Sequence, residues 1–119
     1  MLVHLVLLKP RLDLTPSNRR AFVDAFERAV REIPSVRGVR VGRRVIHGAG
    51  YERAMPDTAD FMALIEFDDL VGLRSYLAHP AHKELGRLFG ELLTSAWAYD
   101  FEEGELGLLD VVGEGLSSR

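Results

Sequence analysis

The chain has 119 residues, 47% of them hydrophobic, which suffices for one core but not for two domains. Its formal net charge of -3 and pI near 5.8 argue against a nucleic-acid partner, because such binding depends on clustered lysine and arginine. Cysteine is absent, which excludes disulfides and thiolate metal sites and is typical of a reducing compartment, so we expect a cytoplasmic protein.

The apolar run at the start of the chain predicts a strand from Val3 to Lys9. The run is too short to cross a membrane and lacks the basic leader and cleavage site of a signal peptide, so no membrane partner is expected. Because successive side chains of a strand point to opposite faces, both faces of this strand are apolar and need cover. One face carries His4, Val6 and Leu8, and the other carries Val3, Leu5 and Leu7.

A helix is predicted next. Thr15 and Pro16 form its start, because a hydroxyl N-cap followed by proline at the first helical position is a typical beginning. Pro34 ends it. The apolar residues that recur at helical spacing in between are Phe22, Phe26, Val30 and Ile33.

Two further strands follow, separated by a loop. Alternation predicts a strand from Val39 to His47, although Arg43 falls on its apolar face and indicates a bulge or the emergence of the strand into solvent. Residues Gly48 to Asp57 have no periodicity and are predicted to be a loop. The third strand, Phe61 to Phe67, is apolar on both faces like the first.

Pro80 divides the next helical region in two. The first helix begins after the acidic residues Asp68 and Asp69 and is predicted to stop near Ala78, because proline disfavours helix in the residue before it. The second helix is predicted to start with Pro80 in its first turn. A fourth strand is predicted over Ala96 to Phe101.

This order of elements is typical of an α+β fold, a ferredoxin-like βαββαβ unit. In such a unit the helices cover one face of an antiparallel sheet, yet the first and third strands are apolar on both faces. The uncovered face must therefore meet something apolar. A second copy of the chain is the simplest candidate, and we predict a homodimer.

Tyr76 and His82 are the candidate catalytic residues. Between them the chain holds a second imidazole, His79, and Pro80. His82 falls in the first turn of the second helix, where free N–H groups disfavour positive charge and favour the neutral imidazole, which can accept a proton near pH 7. Alternatively, His79 caps the second helix and His82 is a packed or solvated helical residue.

The chain resembles the stress-responsive dimeric α/β-barrel (Dabb) family, in which two ferredoxin-like subunits pack sheet to sheet into a barrel. The resemblance implies a Dabb domain at residues 1–102, an extension at 103–119 and a homodimer. It runs from His4 to about Phe101, and its carrying residues are the opening strand, Ile33-Pro34, Gly42, Glu66-Phe67, Asp100-Phe101 and above all Tyr76 to His82.

A plant polyketide cyclase of that family, which needs no cofactor, implies roles for matching positions. Tyr76 corresponds to the tyrosine that orients or polarises the substrate, and His82 to the histidine that acts as general base in an aldol condensation. Neither a cofactor nor a metal is expected. The other pocket positions are His4, Phe22, Phe26, His79, Gly86 and Leu85, the last in place of an aromatic residue, and Val6 and Leu8 adjoin His4 on the same face of the first strand.

Four functions stay open at this point. The first is binding of a small apolar molecule in the barrel pocket without an assigned reaction. The second is a cofactor-independent cyclase or lyase that acts on an apolar carbonyl compound through Tyr76 and His82. The third is a metal site made of His4, His79 and His82. The fourth, a cofactor-free monooxygenase, rests on analogy of fold.

The tail after Glu102 extends past the usual end of the family. It mixes glycine and acidic residues with leucine and valine. As a free tail it would expose a large apolar surface, so the segment Glu105 to Val112 is predicted to add to the dimer, as an edge strand or as an arm on the partner.

Overall fold

The protein folds into a four-stranded antiparallel sheet with helices on one face. This computed structural model describes residues 1–56 and 58–111. The sheet order is β2-β3-β1-β4, so the first and third strands lie at its centre. This confirms the α+β ferredoxin-like βαββαβ fold. The elements are β1 (Leu2–Pro10), α1 (Pro16–Glu32), β2 (Gly38–Arg43), α2 (Gly50–Ala54), β3 (Phe61–Phe67), α3 (Leu70–Ala78), α4 (Pro80–Leu92) and β4 (Leu93–Glu102).

A capping box begins α1 at the predicted residue. The hydroxyl of Thr15 accepts a hydrogen bond from the N–H of Asn18 at 3.1 Å, and the Asn18 side chain accepts one from the N–H of Thr15 at 3.2 Å. The buried side of the helix then meets the sheet through Ala29 and Ile33. Pro34 follows Ile33, which is in an extended conformation, so the helix ends where predicted.

The core lies between the helices and one face of the sheet. Ile65 and Phe67 on β3 are completely buried there, and Tyr76 on α3 is 1% exposed. Burial of each such side chain contributes about 2 kcal/mol to folding. The remaining members of this core are Leu2, Val6, Leu8, Ala29, Ile33, Ala63, Leu73, Ala81 and Leu85.

The opposite face of the sheet is apolar and faces away from α1, α3 and α4. Its residues alternate with the core residues along the strands. Tyr99 and Phe101 are 48% and 50% exposed on this face. We call it the open face, and its apolar residues are Val3, Leu5, Leu7, Met62, Leu64, Trp97, Tyr99 and Phe101.

Between the second and third strands the chain differs from the prediction. β2 ends at Arg43 and not at His47, and the predicted loop contains the short helix α2. Glu52 on α2 explains both changes, because its carboxylate accepts hydrogen bonds from the N–H groups of His47 and Gly48 at 2.9 and 2.8 Å. These backbone groups are therefore bound locally and do not extend the β ladder.

The tail after β4 was predicted to be either an edge strand or an arm on the partner, and the structure contradicts the edge strand. Residues Leu106–Val111 form a 3₁₀ helix, so this segment is not an edge strand. The side chain of Leu106 is 84% exposed, and those of Leu108 and Leu109 are 58% and 62% exposed. Within its own chain the segment is therefore largely uncovered. Val112, which the prediction included, lies outside the described residues.

Candidate functional site

The break between α3 and α4 brings Tyr76 and His82 together, as the sequence predicted. His79 is in an extended conformation, and its Nδ1 atom accepts a hydrogen bond from the N–H of Ala81 at 3.0 Å. It caps α4, and Pro80 takes the first helical position. The chain thus turns between the two helices, and the ring centroids of Tyr76 and His82 lie 4.7 Å apart.

His4 joins this pair from the sheet. Its ring centroid lies 6.1 Å from that of Tyr76, and the ring centroid of Phe67 lies 5.2 Å from that of Tyr76. The Nδ1 atom of His4 is bound to a carboxylate oxygen of Asp100 at 2.6 Å, because the antiparallel register of β1 and β4 places these two residues opposite each other. A buried imidazole is therefore oriented by a carboxylate, an arrangement that fixes its tautomer.

Burial sets the protonation of the two candidate catalytic groups. It raises the pKa of Tyr76 to about 12, so the phenol keeps its proton at neutral pH and can donate a hydrogen bond. It also lowers the pKa of His82, with a smaller contribution in the same direction from the charge of His4, while a backbone hydrogen bond with Leu77 opposes the shift. The direction agrees with the neutral imidazole expected from the sequence, but its largest cause is burial and not the start of the helix.

These groups could act together in proton transfer. A neutral imidazole near pH 7 can serve as a general base, and a buried phenol can donate to the oxygen of a developing enolate. The ring of His4 also lies next to the phenol and is itself oriented by Asp100. We call Tyr76, His82, His4 and Asp100 the histidine–tyrosine cluster.

A separate cavity of about 760 Å³ lies between α1 and the sheet. Among the predicted pocket residues, Leu8, Phe22 and Phe26 line it, and most of its other walls are also apolar. The further lining residues are Pro10, Arg11, Leu12, Leu14, Arg19, Val23, Glu27, Val30, Val39, Val41, Gly42, Arg43, Phe61, Met62, Ala63 and Leu93.

The structure does not unite this cavity with the histidine–tyrosine cluster, contrary to the expectation of one common pocket. His4 is four residues from Leu8 on β1, which corresponds to about 13 Å along a strand. Val6 lies between them on the same face and is buried in the core. Tyr76 and Leu85 are each 1% exposed, so packed side chains fill the space between the two features.

Other predicted pocket residues also lie away from the cavity. Gly86 is on the exposed side of α4, where an added Cβ would meet no atom within 4 Å, so it does not bring a ligand close to the helix backbone in this conformation. His79 serves as a helix cap. Neither of these residues, nor His82, is among the cavity residues in the part of the chain that the structure describes.

The sequence analysis missed Asp100 as a member of the site and missed the β2 side of the cavity. Asp100 could have been predicted from strand pairing, because the antiparallel register of β1 and β4 places its carboxylate opposite His4. The β2 side could have been predicted as well, because Arg43 interrupts an apolar face and does line the cavity. Both predictions depend on register between distant segments.

The three-histidine alternative does not form. Within residues 1–56 and 58–111, no group of three or more histidine, cysteine or carboxylate side chains is placed to hold a metal ion. His79 instead uses its Nδ1 atom in the cap of α4. The same residues include no helix with the length and apolar character needed to span a bilayer.

The fold is that of a stress-responsive A/B barrel domain. The model of that family matches residues 2–103, and the chain belongs to the family. Among curated proteins, no sequence matches the chain closely enough to count as a relative.

Solved structures share the fold at low sequence identity. A protein from Arabidopsis thaliana has a TM-score of 0.74 at 17% identity, over 89% of this chain and 98% of its own. A hydroxynitrile lyase from Passiflora edulis has a TM-score of 0.73 at 10% identity, over 87% of this chain and 94% of its own. A dimeric ferredoxin-like protein of unknown function from Thermobifida fusca has a TM-score of 0.65 at 22% identity, over 84% and 88%.

Proposed function

We propose that this protein binds a small apolar molecule in the cavity between α1 and the sheet. The observation that carries the proposal is the cavity itself. Its volume of about 760 Å³ is within the range of about 300–1,000 Å³ that is typical of ligand sites. Its walls are mainly aliphatic and aromatic, which suits a ligand that is held by burial of apolar surface.

The edge of the sheet supports the same proposal. Val39 and Val41 line the cavity, yet they are 40% and 74% exposed. Because protein interiors normally pack about as densely as organic crystals, space left open beside two valines is unusual. An apolar ligand would remove these side chains from water, with a gain of about 25 cal/mol per Å² buried.

A pair of valine substitutions tests the proposal with Nile red, an uncharged dye that fluoresces in apolar surroundings. Val41 lines the cavity, whereas Val45 is equally exposed, at 75% against 74%, and is not among the lining residues. We expect the wild-type protein to bind the dye, Val41→Trp to weaken binding at least tenfold by filling the cavity, and Val45→Trp to bind like the wild type. Equal binding by both variants would place the dye elsewhere and contradict the proposal.

A second candidate function is proton-transfer catalysis by Tyr76 and His82. It is supported by the 4.7 Å separation of their rings and by burial, which lowers the pKa of His82 and so favours a free base at neutral pH. One protein of the same fold is a hydroxynitrile lyase, so this fold accommodates lyase chemistry. The substrate class that fits a base and a phenol is an apolar carbonyl compound.

Exchange of α-protons tests this candidate without knowledge of the natural substrate. The probe is 2-octanone in deuterated buffer, with the loss of its α-proton signal followed by NMR. We expect the wild-type protein to accelerate exchange, His82→Ala to abolish the acceleration and Tyr76→Phe to reduce it by about 100-fold. His47→Ala, which removes an exposed imidazole, should leave the rate unchanged. Wild-type exchange by His82→Ala would exclude the dyad.

We further propose that the protein is a cytoplasmic homodimer. The apolar open face supports the dimer, because a monomer would leave Tyr99 and Phe101 about half exposed. Similar solved proteins from Thermobifida fusca and Bacteroides fragilis are dimeric. The lack of cysteine supports the compartment.

A further inference from the structure

Arg43 interrupts the apolar face of β2 at the cavity. Its Cα atom pairs with that of Phe61 in the sheet, and both residues line the cavity. Val39 and Val41, four and two residues earlier, share its face of the strand. The apolar face therefore ends in a guanidinium group at the cavity.

Some of the charged residues that line the cavity have an ion-pair partner, and others have none. Of its four charged residues, Arg11 is paired with Asp13 at 3.0 Å, and Glu27 is paired with Arg31 at 3.3 Å. Arg19 donates to the backbone carbonyl of Leu14 at 2.8 Å and has no carboxylate partner among the described residues.

The side chain of Arg43 has no hydrogen-bond or ion-pair partner within residues 1–56 and 58–111. Among the described residues, the guanidinium groups of Arg19 and Arg43 thus border the cavity without a carboxylate partner of their own. Both residues are exposed, so a neutral ligand in the cavity would leave their guanidinium groups in water and gain no contact from them. A carboxylate would accept their N–H groups in the bidentate geometry that guanidinium favours.

We infer that the cavity takes an amphipathic carboxylate, with its aliphatic chain among the apolar side chains and its carboxylate at Arg43. This inference rests on the proposed binding function and names the class of its ligand. It also assigns a role to the charge that breaks the pattern of β2. Arg43 is the specificity-determining residue, since it distinguishes a charged head group from a neutral one.

Competition between two probes of equal chain length tests the inference. Dodecanoate and 1-dodecanol carry the same aliphatic chain and differ in the charge of the head group. Each is titrated at pH 8 against protein loaded with Nile red. We expect dodecanoate to displace the dye at a concentration about tenfold lower than dodecanol, because a charge-assisted hydrogen bond is lost with the alcohol.

Substitutions then assign the preference to a residue. Arg43→Gln should remove the tenfold preference for dodecanoate and leave the affinity for dodecanol unchanged. Arg43→Lys, which keeps the charge, should retain part of the preference. Arg20→Gln is the matched control: it removes the same charge from the residue next to Arg19, but Arg20 does not line this cavity. Its preference should equal that of the wild type, which separates local contact from net charge.

The outcomes distinguish this inference from the proposed function. Equal displacement by dodecanoate and dodecanol, or an unchanged preference in Arg43→Gln, would overturn the carboxylate inference and leave apolar binding intact. Absence of Nile red binding, with no binding of either competitor by calorimetry, would overturn both. A thermal melt of each variant establishes that it is folded before its affinity is compared.

Discussion

The Nδ1 atom of His4 lies 2.6 Å from Oδ1 of Asp100, across two neighbouring strands of the sheet. His4 is only 6% exposed, whereas the side chain of Asp100 is 46% exposed. Because a carboxylate oxygen accepts hydrogen bonds, this contact requires the proton of His4 on Nδ1.

The first prediction concerns the stability that this hydrogen bond provides. Asp100→Ala should lower the free energy of unfolding by about 1–2 kcal/mol, because it leaves a buried N–H without its acceptor. Asp100→Asn keeps an acceptor oxygen and should lower it less. Urea unfolding measures both. Asp68→Asn, in the exposed pair with Arg37, is the control and should change the value by less than about 0.5 kcal/mol. An Asp100→Ala protein as stable as the wild type would contradict this prediction.

The second prediction concerns pH. The pKa of His82 in the folded chain is lowered from its ordinary value of 6.5, so the unfolded chain binds a proton there at higher pH than the folded chain does. The stability that His82 contributes is therefore complete above pH 6.5 and is lost as the pH falls through the lowered folded-state pKa.

Urea unfolding at pH 8 and pH 5.5 checks this sign. The free energy of unfolding of the wild type should fall between the two values, and His82→Gln should show a smaller fall because it lacks the shifted group. His47→Gln removes an exposed imidazole and should behave like the wild type. An identical fall in the wild type and His82→Gln would show that other groups cause it.

The third prediction distinguishes the two faces of β3. Leu64 lies on the open face, and its neighbour Ile65 is completely buried under the helices. Leu64→Asp should give a folded monomer of 13.3 kDa by light scattering, since it places a charge in the proposed interface. Ile65→Asp should unfold, because an unpaired buried carboxylate costs several kcal/mol. Wild-type elution of Leu64→Asp would argue against a sheet-to-sheet dimer.

The fourth prediction concerns the tail. Truncation after Glu103 should lower the melting temperature by about 4 °C or more, since loss of about 1 kcal/mol has that effect in a domain of this size. Leu106→Gln in the full chain should reproduce part of the loss if this side chain, 84% exposed in its own chain, packs on the partner. Leu12→Gln, at a leucine that is 103% exposed, should have no effect. A melting curve that truncation leaves unchanged would mean that the tail adds nothing to the dimer.

Local chemistry made much of the fold predictable from the sequence. Thr15 and Pro16 begin α1, and Pro80 separates α3 from α4, because a cap and a ring without an N–H act within a few residues. Alternation divided the side chains of β1 and β3 between two apolar faces, but only the docked helices decide which face forms the core. The predicted end of β2 was wrong, because Glu52 binds the backbone N–H groups of His47 and Gly48, and hydrophobic periodicity does not reveal such bonds.

The candidate site likewise has a part that was predictable from local sequence and a part that depends on tertiary structure. Tyr76 and His82 were predictable as a pair, because they flank a single turn that the neighbouring residues His79 and Pro80 form. The bond between His4 and Asp100, which are 96 residues apart, depends on strand register. The separation of the cavity from the histidine–tyrosine cluster was decided by packing: Val6, Tyr76 and Leu85 fill the space near α3 and α4, while α1 leaves the face of β2 uncovered. Patterns along the sequence determine which face a residue takes, whereas the space that opposing side chains leave empty exists only once the helices are docked on the sheet.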